Sequence, residues 1–239
     1  STWSELADLN TARQNISGAG VKTSALGYGG FVPPGNTVTG ATESWNDTAW
    51  SNKPDLGTPR LNMGTAGVSN TSNLAFGGDD FSPPTRQQAL TEAWDGSAWS
   101  EVGDLNSARI NLAGAGTKTA ALAIGGYDFD PNVTGAVEQW NGSAWTTISR
   151  LNTAGYGLAG TGTITSALAF GRNPPATLGV TEEWNGVSWV EVADLNAGRN
   201  ALAGAGTTTA ALAMGGTPPA AGATEEWSST STTIKVLTD

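Results

Sequence analysis

The chain has neither cysteine nor histidine among its 239 residues. The first absence removes disulfides, thiol nucleophiles and thiolate metal sites. The second removes the usual general base of serine and cysteine hydrolases and the commonest metal ligand. Positive charge is also scarce: 11 Lys and Arg against 21 Asp and Glu give a net charge of −10. The clustered basic surface that displaces counterions from nucleic acid is therefore not available, and attraction to anionic membranes is weak. No apolar run approaches the length of a membrane span, and no charged start followed by an apolar core marks a signal peptide. Nucleophile-elbow, phosphate-loop and deaminase-type patterns do not occur. These absences lead us to expect a protein without enzymatic activity, cofactor, nucleic-acid partner or membrane insertion.

What the chain does have is tryptophan, ten in all, in a register that recurs five times. One set is Trp45, Trp94, Trp140, Trp184 and Trp227, and the other is Trp3, Trp50, Trp99, Trp145 and Trp189. Steps of 49, 46, 44 and 43 residues separate members of the first set, a period typical of propeller blades. A repeat running end to end argues for a single domain over residues 1–239. Each unit opens with a strand of small residues, such as Leu112-Ala113-Gly114-Ala115-Gly116-Thr117. Gly and Ala suit strands that converge on a crowded axis. The next strand carries large side chains on one face, as in Leu122 and Ile124, and Ala121 and Ala123 on the other. That pattern fits a sheet sandwiched between two neighbouring sheets. A glycine doublet follows in four copies, with Gly171-Arg172 in the fourth, and then a variable loop. The third strand brings Glu two residues before Trp in every copy, at Glu43, Glu92, Glu138, Glu182 and Glu225. Asn141-Gly142, Asn185-Gly186 and Asp95-Gly96 then predict tight hairpins in which both residues take positive φ.

A glycine doublet, Glu-x-aromatic, a Trp a few residues on, and Arg before the next strand together resemble the kelch-type β-propeller repeat over essentially the whole chain. Trp stands here in place of the usual Tyr after Glu, and the two aromatics are five residues apart where kelch repeats are longer. The Asp-Gly-Ser-Ala-Trp turn is similar to the Asp-box of sialidase-type propellers, without the residue that motif places between Asp and Gly. The resemblance implies an all-β, five-bladed propeller with four-stranded antiparallel blades. Highly regular propellers of this Gly, Ala, Thr and Trp-rich texture are similar to virion and tail-fibre proteins of marine bacteriophages and to bacterial surface proteins. Such a source implies a location on a virion or an extracellular surface. Six segments compete for five fourth-strand places, counting residues 3–6 and 233–237. We expect residues 3–6 to complete the blade formed by residues 199–227 and so to join the termini.

Within each unit Asp8 and Arg13, Asp55 and Arg60, Asp104 and Arg109, and Asp194 and Arg199 are five apart; in the fourth unit Arg150 and Gly155 replace both. The joint change suggests an ion pair bracing the turn, with the repeated Glu as the competing partner for Arg. It also makes Arg150, Gly155, Tyr156 and Arg172 the asymmetric place on a near-symmetric disc. Asn10, Asn106, Asn152 and Asn196 fall in the same turn, as backbone caps or as amides around a channel mouth. The ten Trp read as packing between blades, which leaves the loop aromatics Phe31, Phe81, Tyr127 and Phe129 as candidates for ligand contact. Asp128, Asp130 and Asn132 have a spacing that could feed oxygens to a cation, but lack the following Gly and distal Glu. The expected activity is recognition of a protein receptor or glycan through loops on one face. The alternatives are a purely structural virion component and a sialidase- or oxidase-type propeller enzyme.

Overall fold

The computed structural model describes residues 4–34, 37–82, 86–128, 133–173, 178–217 and 222–229. Among them it contains 21 strands and no helix, arranged as a five-bladed propeller. The first blade holds β1 (Ser17–Val21), β2 (Ser24–Tyr28), a small loop hairpin of β3 (Phe31–Val32) and β4 (Thr37–Val38), β5 (Thr42–Trp45) and β6 (Trp50–Lys53). The second holds β7 (Gly64–Ser69), β8 (Ser72–Phe76), β9 (Thr91–Trp94) and β10 (Trp99–Glu101). The third comprises β11 (Ala113–Thr117), β12 (Ala120–Ile124), β13 (Val137–Trp140) and β14 (Trp145–Ile148). The fourth comprises β15 (Ala159–Thr163), β16 (Ser166–Arg172), β17 (Leu178–Trp184) and β18 (Trp189–Glu191). The fifth has β19 (Ala203–Gly206), β20 (Ala210–Met214) and β21 (Thr224–Ser228). Each blade is an antiparallel meander running outward from its small-residue strand.

The expected four strands are therefore present in four blades, and the fifth shows three among the described residues. Residues 4–9 form no strand, while Trp3 and residues 233–237 lie outside the described residues. The innermost strands β1, β7, β11, β15 and β19 neighbour one another in chain order and line an axial channel of about 380 Å³. Close approach explains their glycines. A Cβ on Gly160 would stand 2.9 Å from the carbonyl oxygen of Gly114 in the preceding blade, so only a hydrogen fits there.

Tryptophan does two jobs. Each third-strand Trp donates its indole N–H to the first turn of its own blade, as in Trp45 to Lys22 O at 2.8 Å and Trp140 to Lys118 O at 3.0 Å. This satisfies the one polar group of a large buried ring. Trp50, Trp99, Trp145 and Trp189 lie 5.4 to 5.5 Å from the third-strand ring of their own blades, and two of them lean on an aromatic ring of the preceding blade, Trp99 on Tyr28 at 4.7 Å and Trp145 on Phe76 at 4.9 Å. Burial pushes the Tyr28 hydroxyl up, and that hydroxyl donates to Thr65 Oγ1 at 2.6 Å.

The outer hairpins differ from the two-residue turns predicted for them. Trp140 pairs with Trp145 across a four-residue loop, as Trp94 does with Trp99. One residue of each loop takes positive φ there: Gly96, Gly142 and Gly186 in the second to fourth blades, and Asp47 at φ 75° in the first. The preceding Asn or Asp instead turns its side chain onto the loop, as Asn141 Oδ1 accepts from Ser143 N at 2.9 Å and Ala144 N at 3.0 Å. A side-chain cap of this type competes successfully with the positive-φ turn.

Asp95 makes the same cap as a carboxylate. The Ala98 N–H, then the Ser97 hydroxyl and N–H, hold its pKa at about 2, below the ordinary 3.8. Because the folded value is depressed, the contribution of Asp95 to stability is present above the ordinary carboxylate range and is lost as pH falls through about 2. An NMR titration of the Asp95 carboxyl carbon is expected to give a midpoint near 2; a midpoint at 3.8 contradicts the cap.

Candidate functional site

The loops that follow each glycine doublet and the connections that enter each blade share one face of the disc. They are joined there by short backbone bridges, including Gln14 with Phe31, Leu61 with Asp79, Ile110 with Tyr127, Tyr156 with Asn173 and Asn200 with Thr217. The connection is anchored from below by a buried clasp. Arg13, Arg60, Arg109, Arg172 and Arg199 pair with Glu43, Glu92, Glu138, Glu182 and Glu225 at 2.7 to 2.9 Å, and all five guanidinium groups are fully buried. In the first three blades the guanidinium also donates to two backbone carbonyls, as Arg60 does to Gly77 O and Leu90 O. The carboxylate in turn accepts backbone N–H groups of the connection, from Asn10, Gly57, Asn106, Asn152 and Asn196. Desolvation pushes the Arg60, Arg109 and Arg172 guanidinium groups down from their ordinary value, and the paired Glu opposes that shift.

The expected Asp–Arg pair is thus replaced by Glu–Arg. The Asp faces the backbone: Asp104 Oδ1 accepts from Thr91 N and Asp194 Oδ1 from Thr181 N, both at 3.1 Å. Glu wins because its position on the third strand places a carboxylate directly beneath the guanidinium, where water is excluded.

The fourth blade corrects a second expectation. Gly155 stands where the other copies have Arg, and Arg172 stands where they have the second glycine. Arg172 reaches the same place from the opposite side and contacts Glu182 at 2.7 Å. A Cβ on Gly155 would lie 2.7 Å from Cβ of Arg172, so the two changes are one compensating exchange. Gly171 keeps the positive φ of the first doublet glycine, at 63°, but with Arg in place of the second glycine β16 continues through Arg172, with a register shift between Phe170 and Arg172. Gly155 is coupled to Arg172 and not, as the sequence suggested, to Arg150, which is exposed.

The sequence-selected residues consequently fall into separate groups. Arg172 is fully buried inside its clasp. Asn106, Asn152 and Asn196 turn their side-chain amides onto the clasp carboxylates, and Asn10 bonds Trp50 O and Asn52 Oδ1, so these four brace the turn. Tyr127 and Tyr156, from adjacent blades, are brought together with ring centroids 5.5 Å apart and planes at 56°. Asn173 donates to the Tyr156 hydroxyl at 3.4 Å. No ion pair joins Arg150 to this cluster among the described residues. Phe129, Asp130 and Asn132 lie outside the described residues, and Asp128 alone of the metal candidates is placed. Phe81 is exposed, with the Arg86 guanidinium 3.8 Å above its ring and Arg86 paired to Asp79 at 2.6 Å.

One set of residues was not singled out from the sequence. Asn15, Asn62, Asn111, Gly157 and Ala201 occupy equivalent places at the channel mouth, each with φ between 52° and 66°. Their backbones form a run of bonds from blade to blade: Asn62 N to Asn15 O, Asn111 N to Asn62 O, Gly157 N to Asn111 O and Ala201 N to Gly157 O. They line a bowl of about 220 Å³ on the axis. The recurrence of Asn two residues after Arg in three copies, at Asn15, Asn62 and Asn111, was the available signal. An Asn tolerates this left-handed conformation better than most residues. Compared with protein-family models and with curated protein sequences, the chain matches none of them.

The exchange in the fourth blade is testable by a double-mutant cycle. Arg172→Gly leaves a buried carboxylate without its counter-charge and is expected to cost about 3–5 kcal/mol. Gly155→Arg added to Arg172→Gly restores the arrangement of the other blades and is expected to recover most of that loss in urea denaturation. A double variant no more stable than Arg172→Gly contradicts the exchange.

Proposed function

We propose that the chain is a non-enzymatic recognition module of kelch-like type that binds a glycan, or a glycan-bearing receptor, on its loop face. The observation that carries this reading is the Tyr127–Tyr156 pair on that face, in the same connections and loops that border the bowl of Asn15, Asn62 and Asn111. Aromatic rings with carboxamides nearby match the alternating apolar faces and hydroxyl edges of a pyranose. The clasp supports the absence of catalysis: all five repeated Glu are committed to Arg and to backbone N–H groups, which leaves none of them as half of an asymmetric acid–base pair. Display on a virion or bacterial surface suits a rigid disc with one variable face. The net charge of −10 argues against nucleic acid and anionic membranes as partners. The same reading takes the ring as closed, with a fourth strand for the fifth blade supplied by the N-terminal segment.

A glycan array with the intact protein tests the proposal. Specific binding is expected, and Tyr127→Ala and Tyr156→Ala are each expected to weaken it by about 2 kcal/mol, roughly thirtyfold, with an unchanged melting temperature. Silence across glycans and host cells, or binding that both variants retain, contradicts it.

A further inference from the structure

The loop between the third and fourth strands places Asn directly before Gly in two blades. Asn141-Gly142-Ser143-Ala144 and Asn185-Gly186-Val187-Ser188 are exposed throughout, and Gly142 and Gly186 take φ of 97° and 93°. Asn141 Oδ1 accepts three hydrogen bonds, from Ser143 N at 2.9 Å, Ser143 Oγ at 2.9 Å and Ala144 N at 3.0 Å. Asn185 Oδ1 accepts two, from Val187 N at 2.9 Å and Ser188 N at 3.0 Å, because valine brings no hydroxyl. In both loops the donors converge on a carbonyl oxygen whose carbon is followed by a glycine peptide nitrogen, with no side chain to crowd it.

The second blade carries the same loop with a carboxylate in place of the carboxamide. Asp95-Gly96-Ser97-Ala98 differs from Asn141-Gly142-Ser143-Ala144 in that group alone. Asp95 Oδ1 accepts from Ser97 N at 2.8 Å, Ser97 Oγ at 2.7 Å and Ala98 N at 2.9 Å, so the cap is kept. Hydrogen bonds to the charged acceptor are the stronger ones. The first blade supplies the opposite comparison. Asn46 Oδ1 accepts from Thr48 N at 3.1 Å and Ala49 N at 3.0 Å, but the next residue is Asp47. Its side chain crowds the peptide nitrogen, and its charge opposes removal of the proton there.

We propose that Asn141 and Asn185 are sites of spontaneous deamidation, and that the cap of Asn141 serves the reaction as an oxyanion hole. The Gly142 N–H gives its proton to solvent hydroxide, and the nitrogen attacks Cγ of Asn141. The electron pair of the carboxamide C=O moves onto Oδ1, where charge develops under three fixed donors. When the pair returns, the bond from Cγ to Nδ2 breaks, and Nδ2 leaves as ammonia with a proton from water. Water then opens the succinimide. Hydrolysis of the new bond to Cγ restores the main chain with aspartate at this position, and the loop becomes that of Asp95. Hydrolysis of the original peptide bond leaves isoaspartate, which puts an extra methylene into the main chain and loses the cap.

Mass-spectrometric peptide mapping of the full folded chain, incubated near neutral pH beside the same chain in urea, tests both parts. In the folded chain Asn141 is expected to deamidate about tenfold faster than Asn185, less than one donor contributes in a water-excluded site because this loop is exposed. Asn46 is expected to stay intact over the same period. In urea the caps are lost and the rates of Asn141 and Asn185 are expected to converge. Ser143→Ala is expected to slow Asn141 to the rate of Asn185, and Asn141→Asp to leave the melting temperature unchanged. Equal folded rates at Asn141 and Asn185 overturn the oxyanion role while leaving the two sites. Both residues intact in the folded chain after the chain in urea has reacted means a cap that protects, and overturns the proposal as a whole. A lowered melting temperature for Asn141→Asp contradicts the tolerated product.

Discussion

Every blade depends on one buried ion pair. A guanidinium with no exposure to water is costly, and it is tolerated here because Glu lies under it and backbone carbonyls at the two ends of the face loop accept from its Nη1, as Gly125 O and Ala136 O do from Arg109. The pair therefore ties three things together: the connection entering the blade, the glycine doublet and the third strand. Breaking any partner strands a charge, so the clasp fixes where the face loops start more firmly than packing alone. In Arg13, Arg109, Arg172 and Arg199 the Nε–H has no partner within the protein, a cost carried in return for the fixed geometry.

Regular and irregular residues then divide the work. Glycines let the inner strands approach, third-strand indoles cap the first turn of each blade, and the indoles of Trp99, Trp145 and Trp189 lean on the preceding one. None of these features distinguishes one blade from another, and none singles out a ligand. Distinction comes from the positions where the copies differ on the loop face: the facing tyrosines of the third and fourth blades, the Phe81–Arg86 loop of the second, and the change from Asn to Gly and Ala around the mouth.

The blade plan was legible in the sequence because packing repeats where sequence repeats. Spacing of two on the third strand placed Glu and Trp correctly, and glycine runs identified the axis. The clasp was less legible, since Asp and Glu both stood within reach of each Arg along the chain and only the folded strand decides between them. The exchange of Gly155 and Arg172 could not be read as a pair, because the two residues are adjacent only across a sheet. The hairpins misled for a local reason: an Asn side chain can serve the turn by accepting hydrogen bonds as well as by adopting positive φ. At the mouth, the recurrence of Asn15, Asn62 and Asn111 two residues after Arg was visible, but only the ring brings the three to one place.

Exchange of arginine side-chain N–H groups by NMR tests the clasp most directly, since the chain has five clasp arginines and two others, Arg86 and Arg150. The account requires slow guanidinium exchange for Arg13, Arg60, Arg109, Arg172 and Arg199, and fast exchange for Arg150. An Arg172 guanidinium that exchanges as fast as that of Arg150 would contradict it.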